Sequence, residues 1–180
     1  TSSLYFSTDG GRTWPSTPVI EMNSGKLLQY PFICGPSNNP TIIVADSRNI
    51  LLKIDNVFNQ ISGDETIDQV PLPNNYQCVF GIFGAQFLSD YIASFGVDPR
   101  DPNFIYFTDI NNEKIFMTNN GGISWHECYD IKHLITDNSN LLFQTSSNRR
   151  QFELFNTQTT CYAFDPLNSN NILIGTAESG

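Results

Sequence analysis

The chain has 180 residues, a formal net charge of −9 and only 15% charged residues, against about a quarter in an average globular domain. Its 9 Lys and Arg side chains adjoin only at Arg149-Arg150, which excludes a phosphate-tracking surface for nucleic acid and adhesion to an anionic membrane. No run of about 18 apolar residues exists, so no membrane insertion by this segment is expected. With 39% apolar and 13% aromatic residues, the surface must be covered by Asn, Ser, Thr and Gln. That suits an all-β protein with polar turns better than helices with Glu and Lys faces.

The first predicted element is the short strand Leu4-Tyr5-Phe6, which runs into Ser7-Thr8-Asp9-Gly10-Gly11-Arg12-Thr13-Trp14. This octet predicts a tight β-hairpin. The Asp9 side chain can bond nearby backbone N–H groups and fix the turn. Paired glycines accept positive φ without steric cost, and Trp14 supplies an apolar plate beneath the turn. Next come an apolar run at 30–34, a turn at Gly35-Pro36 and a strand at 41–46 that ends on Asp46. A strand follows at 50–54. The hairpin position after it, at Asp55, lacks the octet: Val57 stands where the Asp would be and no Trp follows.

The stretch 62–86 is set apart as an insertion holding Tyr76-Gln77-Cys78-Val79-Phe80-Gly81-Ile82-Phe83-Gly84, apolar for a loop. The strand, turn, strand pattern then returns as 91–97, Asp98-Pro99 and 104–109. A second octet closes the unit, Thr118-Asn119-Asn120-Gly121-Gly122-Ile123-Ser124-Trp125. A second insertion, 129–158, contains Leu141-Leu142-Phe143 and Phe152-Glu153-Leu154-Phe155. A third copy of the turn follows at Asp165-Pro166, between 161–164 and a strand from Asn171 to Ala177. The insertions could fill the centre of the fold, add strands or present a partner-binding patch.

One repeating unit therefore reads strand A, Pro turn, strand B, loop, strand C, octet, strand D. The chain divides into a half unit 1–20, whole units 28–62 and 88–130, and a half unit 159–180. The unit recurs about every 65 residues, longer than the roughly 40–50 residues of an ordinary propeller blade. Two whole and two half units fall short of the roughly four blades needed to close a ring. The rest of the ring is expected from a longer parent chain or from further copies, since two strand edges are otherwise left unpaired.

The octet resembles the Asp-box (BNR repeat), Ser/Thr-x-Asp-x-Gly-x-Thr-Trp, of sialidase, xyloglucanase-type and sortilin-like propellers. The pattern Asp98-Pro99-Arg100-Asp101-Pro102-Asn103-Phe104-Ile105-Tyr106 resembles the same families, especially xyloglucanases and sortilins. The resemblance implies a partial β-propeller of four-stranded antiparallel blades with Asp-box hairpins. It implies a structural role for Ser7, Asp9, Gly11, Thr13, Trp14, Thr118, Asn120, Gly122, Ser124 and Trp125, with both tryptophans packed in the core. A sialidase is disfavoured, since no set of arginines suited to gripping a carboxylate is present.

In an antiparallel meander successive turns alternate between the two ends of the strands. The Pro turns and octets share one end. The strand B to strand C loops and the insertions share the other, together with Asp46, Asp109 and Glu178. Function is expected there, on loops held by a rigid scaffold. Binding candidates are Asp46, Glu178, Tyr76, Phe80 and Phe83.

Asp109 is the catalytic candidate. It resembles a xyloglucanase stretch in which a catalytic Asp follows Thr at the end of strand B, although Ile110-Asn111-Asn112 replaces the glycine pair of that family. Glycoside hydrolysis needs two carboxylates, and no second one is assigned. No metal or cofactor is expected, because His126 and His133 lack a ligand spacing. Cys34 and Cys161 read as buried thiols within strands, and Cys78 and Cys128 as disulfide candidates. The functional expectation is a binding or scaffolding module, extracellular or on a cell surface, that recognises protein or glycan. The alternative is a xyloglucanase-like endo-acting glycoside hydrolase fragment.

Overall fold

A computed structural model describes residues 2–18, 20–22, 28–46, 50–57, 67–73, 95–109, 114–138, 142–143 and 156–177. They are mostly strand and form four sheets. The first sheet pairs β1 (Ser2–Leu4) with β2 (Ile20–Met22). The second is the antiparallel meander β3 (Leu28–Cys34), β4 (Thr41–Asp46), β5 (Leu51–Ile54) and β6 (Ile67–Gln69). The third repeats it as β7 (Phe95–Asp98), β8 (Asp101–Asp109), β9 (Lys114–Thr118) and β10 (His126–Glu127). After β10 comes the short helix α1 (Tyr129–Ile135). The fourth sheet joins β11 (Leu142–Phe143), parallel, to the antiparallel pair β12 (Asn156–Asp165) and β13 (Asn168–Ala177). Among the described residues no helix is long and apolar enough to cross a membrane.

The central strands are apolar at successive positions because both of their faces are covered. In β4, Ile43 and Ala45 face one way, with Leu51 of β5, against Phe95, Val97, Ile105, Phe107 and Phe116 of the third sheet. Ile42 and Val44 face the other way, with Leu52 and Ile54, against Ile20 and Leu4 of the first sheet. The third sheet repeats the division. Its Tyr106 and Ile115 turn toward Tyr162, Ile172 and Ile174 of the fourth sheet. The four sheets thus stack face to face in chain order. Each fully buried aromatic or branched side chain contributes about 1.5–3 kcal/mol.

The strands nearest the start of each unit lie side by side, β3 with β7 and β7 with β12. Gly96 makes the second approach possible: a Cβ there would lie 2.4 Å from Cβ of Tyr162. Thr108 and the Tyr162 hydroxyl form a buried 2.6 Å hydrogen bond between the third and fourth sheets, so neither polar group loses its partner on burial.

Three elements, β6, α1 and β11, fall inside stretches that the sequence sets apart as insertions. β6 lies beyond position 62, and α1 opens the second insertion. The helix is short and amphipathic. Ile131 and Ile135, one turn apart, enter the core beneath Tyr162, while Tyr129 and Leu134 are exposed. Thr136 ends it, its hydroxyl donating to the Lys132 carbonyl at 2.7 Å, and Asp137 and Asn138 follow at positive φ.

Candidate functional site

Two ends of the stacked sheets differ in construction. At one end, both octets close their hairpins with bonds from the side chains at their first and third positions. The Asp9 carboxylate accepts the Arg12 and Thr13 N–H groups, each at 3.0 Å, and the Thr13 hydroxyl at 2.7 Å. Ser7 Oγ accepts the Gly11 N–H at 2.8 Å. In the second octet Asn120 Oδ1 accepts the Ser124 N–H at 2.9 Å, and Thr118 Oγ1 accepts the Gly122 N–H at 3.1 Å. Both glycine pairs sit at positive φ, between 68° and 91°. These donors hold the Asp9 carboxyl down at about 2, led by the Thr13 bonds. The hydrogen bonds to the carboxylate all come from within its own turn.

The Pro turns lie at this same end. Asp98 Oδ1 accepts the Arg100 N–H at 2.9 Å, and Asp165 Oδ1 accepts the Leu167 N–H at 2.8 Å. The Gly35 N–H donates to the Pro99 carbonyl at 2.9 Å, tying the second sheet's turn to the third's. Within the third sheet, the Gly121 N–H donates to the Asn103 carbonyl at 3.0 Å. Where the octet is missing, Asp55 accepts the Thr41 hydroxyl at 2.6 Å, and Val57 is buried in the core.

The tryptophans do not share one environment. Trp125 lies edge-on to Phe107, ring centres 4.9 Å apart, and donates its indole N–H to the Pro71 carbonyl of the second sheet's trailing segment at 2.8 Å. Trp14 is 61% exposed and donates only within its octet, to the Gly11 carbonyl at 3.1 Å. The expectation that both are core residues is corrected for Trp14, because no described sheet lies on its outer side.

The opposite end carries the candidate site. β4 ends at Asp46 and β8 at Asp109, where the main chain leaves for the next strand. Asp109 pairs with Lys114 across the turn and is 2% exposed. Its neighbour Thr108 is equally buried. The sequence signalled the position of Asp109 at a strand end, but not its burial. Glu178, Tyr76, Phe80 and Phe83 lie outside the described residues. So do both strand B to strand C loops, at 47–49 and 110–113, and most of the two insertions. Asp46 is described only as the last strand residue of β4.

No group of three or more potential metal ligands occurs among the described residues. Cys34 is buried, its thiol donating to the Thr41 carbonyl at 3.4 Å, and burial pushes it up to about 12. Cys161, expected to be buried, is exposed: it lies on the face of β12 that points away from the third sheet. Cys128 is a free, half-buried thiol rather than a disulfide partner. Cys78 lies outside the described residues.

Two curated proteins named Xyloglucanase Xgh74A resemble the chain, one from Acetivibrio thermocellus and one from strain ATCC 27405 of that species. Each is 27% identical over 147 residues, covering 71% of this chain and 15% of the relative. The chain therefore spans about 15% of the length of the curated relatives it matches. No protein-family model matches the chain, and no solved structure matches it.

Proposed function

We propose that the chain is a segment of an extracellular Asp-box β-propeller of the xyloglucanase type, and that its loop-bearing end binds a β-glucan. The observation that carries this reading is the 27% identity to xyloglucanases across 71% of the chain. The repeated four-stranded meanders, the stacking of sheets in chain order and the octet turns support the propeller architecture. Asp46 and Glu178 would supply hydrogen-bonding groups to sugar hydroxyls. Tyr76, Phe80 and Phe83 would supply ring faces for apolar sugar surfaces. Binding is preferred to hydrolysis because glycoside hydrolysis needs two carboxylates and no second one is assigned beside Asp109. Scaffolding of a protein partner by the same end is weaker, since the similarity points to a glycan.

The second reading is endo-acting hydrolysis with Asp109 as one of two acids. It draws on the relatives' name and on Asp109 at the end of β8. Titration calorimetry with xyloglucan and other β-glucans, beside a reducing-sugar assay, separates the two. Binding without new reducing ends, unchanged in Asp109→Asn and weakened by up to about tenfold in Tyr76→Ala or Phe80→Ala, is the expected result. Release of reducing ends that Asp109→Asn abolishes would replace binding with hydrolysis. No binding to any β-glucan would overturn both.

A further inference from the structure

We infer that Asn120 is a site of spontaneous modification, a deamidating asparagine that the closed second octet guards with hydrogen bonds. Of the asparagines in the sequence, Asn120 is the one followed by glycine. Glycine has no side chain to crowd its own nitrogen or restrict its backbone, so that nitrogen can reach the side-chain carbon of the residue before it. In the reaction the Gly121 nitrogen bonds to Cγ of Asn120. The Cγ–Nδ2 bond breaks, and Nδ2 leaves as ammonia with the proton from the Gly121 nitrogen. Water then opens the five-membered imide at one of its two carbonyls. One opening leaves aspartate at position 120. The other leaves isoaspartate, in which the main chain runs through the side-chain carbon.

The closed octet engages each group that this step requires. Asn120 Oδ1 accepts the Thr118 hydroxyl at 2.8 Å and the Ser124 N–H at 2.9 Å, and Nδ2 donates to the Ser124 hydroxyl at 2.8 Å. The attacking nitrogen is occupied as well, since the Gly121 N–H donates to the Asn103 carbonyl at 3.0 Å. The side-chain amide is thus held in one orientation, and the nucleophile must give up its partner before it can turn. The guard extends into the next sheet. A Cβ on Gly122 would lie 2.6 Å from the Pro71 carbonyl oxygen, and Trp125 donates to that same oxygen. Deamidation therefore proceeds through openings of the octet, at a rate that follows the open population.

The first octet holds the related pair Asp9-Gly10 and is protected differently. The bonds from its own turn, those of Thr13 first, hold the Asp9 carboxyl at about 2, so it is ionised at neutral pH and has no leaving group to expel. Asp9 also shows that an aspartate at this place closes the turn, through Arg12 and Thr13. The aspartate product at position 120 therefore keeps the octet. The isoaspartate product adds a main-chain carbon between Thr118 and Gly122 and breaks their 3.1 Å bond.

The test incubates the 180-residue chain at mildly alkaline pH, folded and in urea. Mass spectrometry follows the peptide containing Asn120, and an isoaspartyl methyltransferase counts isoaspartate. The expected result is conversion about tenfold or more slower in the folded chain than in urea. Ser124→Ala and Thr118→Val should each convert several-fold faster than the parent chain while circular dichroism shows them folded. Asn120→Asp should fold with a melting temperature near that of the parent, and isoaspartate-bearing chains should melt lower. An Asn120 that survives in urea overturns the site. Equal rates in the folded chain and in urea overturn the guard, and that comparison needs no variant to fold.

Discussion

At Asp9 a carboxylate accepts four hydrogen bonds from its own turn, whereas Asn120 closes the second turn with an amide. The folded carboxyl of Asp9 lies at about 2, below its ordinary 3.8. A lowered carboxyl contributes stability that is present above the unfolded value and lost as pH falls through the folded one. The amide proton shifts of Arg12 and Thr13 should therefore titrate together near pH 2, while that of Ser124 stays flat. Asp9→Asn should abolish the titration and keep the turn, because Asn120 closes the second turn by accepting the Ser124 N–H and donating to its hydroxyl. A Thr13 amide titrating near pH 4 would contradict the assignment. The thiols give a second check at this scale. Cys34 is buried with its thiol raised to about 12, so iodoacetamide followed by mass spectrometry should label Cys161 first, Cys128 more slowly and Cys34 only on unfolding.

Between elements, glycines decide how closely the sheets approach. Gly11→Ala and Gly122→Ala both place a Cβ at positive φ, which costs about 1–2 kcal/mol. Gly122→Ala also drives that Cβ into Pro71 of the second sheet, so its melting temperature should fall clearly further. Gly96→Ala should cost about 1–3 kcal/mol by forcing β7 away from β12. Thermal melts of the three variants rank these costs, and equal losses for Gly11→Ala and Gly122→Ala would remove the inter-sheet contact from the account. Much at this scale was legible in the sequence. The octets announce themselves because every bond that closes them is local. β4 and β8 do so through unbroken apolar runs. β6 was not legible: Ile67-Asp68-Gln69 is three residues with one apolar side chain. α1 was hidden because seven residues with only Ile131 and Ile135 in the core resemble a polar insertion. The exposure of Trp14 depends on which sheet lies alongside, and no local pattern reports that.

For the whole molecule, what matters is that the second and third sheets are covered on both faces and that the four sheets stack in chain order. The end carrying the Pro turns and octets is tied by main-chain bonds, which leaves the opposite end for loops and any ligand. The candidate site was legible in the sequence only as far as naming that end, because the insertions assigned to it lack the repeat's periodicity. The most direct test of the stacking is a nuclear Overhauser measurement between the Gly96 Hα protons and the Tyr162 side chain, residues far apart in sequence on the first strands of consecutive units. Strong cross-peaks, with further ones from the Trp125 indole N–H to Val70 and Pro71, are the predicted result. Their absence in the folded protein would contradict the stacked arrangement.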